Sequence, residues 1–124
     1  MSPEIVEYSG YLTFGPLSSQ QTETARALLA EAGHSLALEF KPHVFEFEYS
    51  GRDPDRRVVA LFGRLADVIG DADGEIVCTI EHEDSDPDFE FYSIRGGKLL
   101  RQRGHIVREL IEEVARQPEV SHVA

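Results

Sequence analysis

The apolar residues of this 124-residue chain change period several times, and that switching limits the fold more than any other feature. From Glu4 to Phe14 they fall on alternate positions, Val6, Tyr8, Leu12 and Phe14, with Gly10 in the remaining slot of the same face, as in a strand. Gly15-Pro16 breaks the run. Ser18 and Gln21 have the spacing of a capping box, and Leu17 stands where a hydrophobic staple begins. Ala25, Leu28, Leu29 and Ala32 then form one helical stripe that Gly33 ends. Alternation returns at Leu36, Leu38 and Phe40, and again from Val44 to Tyr49; Lys41-Pro42-His43 between them predicts a hairpin. Asp53-Pro54 opens a second helix that carries Val58, Leu61, Phe62, Leu65 and Ile69 at helical spacing up to Gly70. Ile76, Cys78 and Ile80 make a fourth strand, and Phe89 and Phe91 lie on a fifth. Gly96-Gly97 predicts a two-residue turn into a sixth, Lys98 to Arg103. Ile106, Val107, Leu110, Ile111 and Val114 predict a third helix, about His105 to Arg116. Pro118 ends it, and residues 118–124 read as a frayed tail.

The first four strands and two helices thus follow the order β-α-β-β-α-β, which is similar to the split β-α-β order of ferredoxin-like domains. The expectation is a single α+β domain over 1–124. It is a ferredoxin-like layer with a mostly antiparallel sheet and helices on one face, to which a C-terminal hairpin strand and helix are added. A mass of 13.9 kDa suits one domain. The one cysteine, Cys78, excludes an intramolecular disulfide; it shares the apolar register of Ile76 and Ile80, so a buried thiol is expected rather than a metal ligand paired with His82. No apolar run approaches the ~18 residues that span a bilayer, and the first residues lack the basic-then-apolar pattern of a signal peptide. A cytoplasmic protein is expected.

Charge narrows the partners. The net charge is −11, and between Asp71 and Glu90 the chain places nine carboxylates without one Lys or Arg, followed by Arg95, Lys98, Arg101, Arg103 and Arg108. Such a surface disfavours direct docking on nucleic-acid phosphates or anionic membranes and attracts basic proteins and metal cations. The densest part, Glu81 to Asp88, falls between two strands and reads as a solvated loop. Asp84, Asp86 and Asp88 alternate as at the start of a calcium loop, but Phe89 occupies the position that needs Gly and Arg95 the position that needs a bidentate Glu. A looser divalent-cation site on those three residues is the alternative; no other cofactor is called for.

A turn at Gly96-Gly97 pairs Ile94 with Leu99, Tyr92 with Arg101 and Glu90 with Arg103 on one face. That face is expected at the surface, with Phe89, Phe91 and Leu100 turned to the core. Arg52, Arg56 and Arg57, near the start of the second helix, oppose its dipole; pairing with nearby acids is expected, with a basic docking spot as the alternative. No nucleophile elbow, phosphate-cradling glycine loop, dinucleotide fingerprint or metalloprotease helix is present, and nothing argues for an enzyme. The leading expectation is a small acidic binding module of the immunity-protein or inhibitor type, or a phage or mobile-element protein of similar order. It would engage a basic protein through Glu81, Glu83, Asp84, Asp86, Asp88, Tyr92 and Arg101. The other class is a small-molecule-binding or enzymatic ferredoxin-like domain, acting as a homodimer and using a sheet face lined by residues among Tyr8, Tyr11, Glu46, Glu48 and Arg101.

Overall fold

The computed structural model describes residues 5–31, 37–41, 43–53 and 55–114. It is an α+β structure with β1 (Ile5–Thr13), α1 (Ser19–Glu31), β2 (Ala37–Lys41), β3 (Val44–Arg52), α2 (Arg57–Ile69), β4 (Asp73–Glu81), β5 (Asp88–Arg95) and β6 (Lys98–His105). All six strands belong to one antiparallel sheet in the order β2-β3-β1-β4-β5-β6. β5 and β6 continue the sheet as full members, so it is wider than the four-stranded layer expected with a single strand appended.

Both helices cover the same face. Val6, Tyr8 and Leu12 from β1, Phe45 and Phe47 from β3, Ile76, Cys78 and Ile80 from β4, and Tyr92 and Ile94 from β5 are buried there. The helices meet them with Ala25, Leu28 and Leu29 of α1 and with Val58, Leu61, Phe62, Leu65, Ala66 and Ile69 of α2. Phe62 sits at the centre, its ring 5.0 Å from Phe47, 5.9 Å from Tyr8, 6.1 Å from Tyr92 and 6.3 Å from Phe45, mostly edge to face.

Local signals act as read at several places. The capping box forms: the Ser18 N–H donates to Gln21 Oε1 at 2.8 Å and the Gln21 N–H to Ser18 Oγ at 3.1 Å. Gly70 closes α2 with its N–H on the Ala66 carbonyl. Gly96 and Gly97 make the two-residue turn with φ of 58° and 75°, the left-handed values that such a hairpin requires and that glycine adopts without steric cost. Ala32 and Gly33, Leu36, Pro42, Pro54 and the tail 118–124 lie outside the described residues.

Three expectations are corrected. α2 begins at Arg57, not at the residue after Asp53; Asp53 still caps it, its carboxylate accepting from the Arg57 and Val58 N–H groups at 2.9 and 3.3 Å. The third helix does not form among the described residues. β6 runs on to His105, paired with Asp88, and residues 106–114 have no regular secondary structure. An isolated helix of about a dozen residues is marginal unless its apolar stripe is buried, and the helix-bearing side of the sheet is already filled by α1 and α2. Finally, the β5–β6 hairpin has the expected register but the opposite orientation. Tyr92 and Ile94 face the core, whereas Phe89, Phe91 and Leu100 lie on the helix-free side. Register on β4 forces this. Ile76 pairs with Tyr92 and Cys78 with Glu90, and directly opposed residues share a face.

Candidate functional site

Turning the hairpin inward buries a carboxylate. Glu90 is 5% exposed, and it is made tolerable by a set of donors that only the tertiary fold assembles. The Tyr92 hydroxyl donates to Glu90 Oε1 at 2.5 Å, and Arg56 Nη1 reaches the same oxygen at 3.0 Å. Arg101 and Arg103, on the neighbouring strand, stand 3.8 and 3.9 Å from Oε2. Arg56 comes from the turn before α2 and holds a left-handed backbone, φ 54° and ψ 40°, the one positive φ among the described non-glycine residues. That conformation costs a residue with a Cβ on the order of 1 kcal/mol or more, offset here by the ion pair. Next to this group, Tyr8 donates from its hydroxyl to Asp53 at 2.9 Å, which links β1 to the cap of α2.

Electrostatics follow the geometry. Burial raises the Tyr8 and Tyr92 hydroxyls well above the ordinary phenol range, with Asp53 and Glu90 respectively as hydrogen-bonded neighbours that add to it. Burial pushes the Cys78 thiol up to about 11. Burial works against the Arg56 charge, but Glu90 and the Tyr8 hydroxyl outweigh it and its pKa lies above the ordinary value. The two phenols and the thiol are thus held protonated at neutral pH, and Glu90 Oε1 already accepts from Tyr92 and Arg56. The cluster clamps α2 and β6 to the sheet.

The helix-free side is different. Its central rows read Glu46-Tyr11-Glu75, then Glu48-Ser9-Val77-Phe91-Gln102, then Ser50-Glu7-Thr79-Phe89-Gly104. No Lys or Arg stands in these rows; the described cations of this face, Lys41, Arg52, Arg95 and Lys98, lie at strand ends. Glu7, Glu46, Glu48 and Glu75 are exposed and have no ion-pair partner among the described residues. Toward the centre of the sheet each stands opposite a hydroxyl-bearing residue (Tyr11, Ser9, Ser50 or Thr79), whereas on the outer side Glu46 is in register with Glu39 of β2. Toward β5 and β6 the face turns apolar: Phe89 and Phe91 stack with centroids 6.4 Å apart beside Val77 and Leu100.

The acids of the 71–90 tract divide into two groups. Asp71 accepts the Gly96 N–H at 2.9 Å, Asp73 meets Arg95 at 3.5 Å, Asp88 meets His82 at 2.9 Å, and Glu90 is clamped as above. Asp86 takes a two-pronged contact from Arg108, with Nε at 2.7 Å; that hydrogen-bonded guanidinium holds the Asp86 carboxyl below its ordinary range. Glu75, Glu81, Glu83 and Asp84 have no such partner among the described residues. The loop is therefore partly neutralised from within, which narrows the expectation of a free acidic tract to Glu81, Glu83 and Asp84. Asp84, Asp86 and Asp88 do not come together, and among the described residues no three His, Cys, Asp or Glu side chains are grouped to hold a metal ion. Tyr92, expected as an exposed anchor, is 2% exposed; Arg101 does stand beside it, on the core side.

Sequence reasoning paired Glu90 with Arg103 and gave Arg56 an acidic partner, but missed that both lead to one buried centre. The signal was Glu90 itself, a carboxylate in phase with Tyr92 and Ile94. Compared with family models, curated proteins and solved structures, the chain matches none. Among the described residues no helix is long and apolar enough to cross a membrane.

Proposed function

We propose that this chain is a small inhibitor-type binding module that engages a basic protein through the acidic half of its helix-free sheet face, extended by Glu81, Glu83 and Asp84. The observation that carries the reading is the segregation of charge. Arg56, Arg101 and Arg103 are committed to Glu90 on the helix side, while Glu7, Glu46, Glu48 and Glu75 lie exposed and unpaired on the other. An open face whose central rows carry acids and no cation steers an oppositely charged partner, and Tyr11, 59% exposed between Glu46 and Glu75, offers the aromatic anchor for which Tyr92 is too deep. Asp86 and Asp88, held by Arg108 and His82, shape the loop. The β2-β3-β1-β4 part of the sheet with α1 and α2 supports reading this scaffold as a ferredoxin-like layer widened by β5 and β6.

The test is binding of the immobilised chain to a panel of basic proteins at low and high ionic strength. At least one partner is expected to bind, with affinity falling more than tenfold as salt rises. The double variant E46K/E48K should abolish that binding, and E23K/D67K, with the same charge change on the exposed helix surfaces, should leave it nearly intact. Equal loss from both variants would mean that net charge alone is read, and the assignment of the surface would fail.

A further inference from the structure

Residues 106–114 carry the largest uncovered apolar surface in the described chain. Ile106 is 40% exposed, Val107 81%, Leu110 93%, Ile111 100% and Val114 64%. At 100° per residue these five fall within an arc of about 140°, a helical stripe with Arg108, Glu109, Glu112 and Glu113 outside it. A second apolar surface lies on the helix-free sheet face, where Val77, Phe89 and Phe91 are half-buried by their neighbours and Leu100 is 45% exposed. Neither meets the other within the chain. Arg108, three residues beyond the end of β6, is bound to Asp86 in the β4–β5 loop, which holds the root of the arm past the end of the sheet rather than over the patch.

We infer that the chain forms a twofold dimer in which residues 106–114 of each copy fold as an amphipathic helix onto the apolar half of the other copy's helix-free face. The occupant is a second copy because the chain itself carries both halves of the contact, and a twofold axis satisfies both at once. Size agrees. Five side chains this exposed, doubled by the symmetry and matched by the surface they cover, remove well over ~1,000 Å² from water, which is what a specific interface needs. The dimer also restores the helix that the sequence pattern encodes by supplying the surface that the isolated chain lacks. It leaves Glu7, Glu46 and Glu48 free and does not depend on the basic-partner reading.

Sedimentation equilibrium on the whole chain over a concentration series tests it. Wild type should approach twice the chain mass, with helical circular dichroism rising in step. Two copies of charge −11 repel, so added salt should tighten the dimer, the opposite of its effect on a basic partner. L110E/I111E, at positions 93% and 100% exposed in the folded chain, should be monomeric, and so should L100E on the receiving face. Mixed together, those two variants should form a heterodimer, because one intact arm then meets one intact face. A wild type that stays monomeric at high micromolar concentration overturns the inference. So does a dimer that survives both variants, or one that L100E leaves unchanged, which would indicate arm-to-arm or edge-to-edge contact instead.

Discussion

Glu90 sets the residue-scale energetics, because its cost is met by groups drawn from three separate elements. Removing its charge leaves Arg56 in a strained turn with no carboxylate to hold. Glu90→Gln is therefore expected to lower unfolding stability by about 1–3 kcal/mol, read as a drop in the urea midpoint at unchanged slope. Exposed pairs such as Arg57–Asp55, 3.8 Å apart and open on both sides, should show no measurable loss when broken. The buried thiol and phenols make a pH prediction. Cys78 is raised from 9.0 to about 11, and Tyr8 and Tyr92 move in the same direction. A raised folded-state value favours the protonated form, so the stability from Cys78 is complete below its unfolded value near 9 and is lost as pH climbs toward about 11. Urea midpoints should hold steady up to about pH 9 and then fall, and the fall should be shallower in Cys78→Ala. Burial of Cys78 was legible from its register with Ile76 and Ile80. The inward place of Glu90 was ambiguous, since its phase with Tyr92 and Ile94 competes with that of Phe89 and Phe91, and the phenylalanines read as the core side.

At the scale of elements, the β5–β6 hairpin shows how register and orientation separate. Two glycines in sequence fix the turn, and the turn fixes Tyr92 opposite Arg101; neither says which face meets the helices. β4 decides that, and its pairing with β5 depends on the length of the intervening loop. The tip is anchored as well: the Gly97 N–H donates to the Gly70 carbonyl at 2.7 Å, joining the hairpin to the end of α2. Replacing both turn glycines with alanine, at φ of 58° and 75°, should cost about 1–2 kcal/mol per position and loosen this anchor. Hydrogen exchange should then accelerate at position 97 and along β6 before the centre of the sheet responds. α1 needs no such context, because its capping box lies within four consecutive residues.

Across the whole molecule, the two sides of the sheet have opposite characters. One is a filled aromatic core closed by a clamped carboxylate; the other is open, acidic toward β3 and apolar toward β6. Unpaired acids on that open side repel one another and the rest of a −11 chain, so moderate salt should raise the melting temperature. E46Q/E48Q should raise it at low salt by a degree or two and flatten its salt dependence, both readable by differential scanning calorimetry; a salt-independent melting temperature would show the face to be internally compensated. The strand and helix order was visible in the alternation of apolar periods, because secondary structure answers to neighbours a few residues away. Caps, hairpin turn and net charge were visible for the same reason. Which face of β5 is buried, which arginines reach Glu90, and whether the stripe after His105 becomes a helix were settled only in three dimensions. Each depends on a surface contributed by residues distant along the chain, and local pattern carries no record of whether that surface is already occupied.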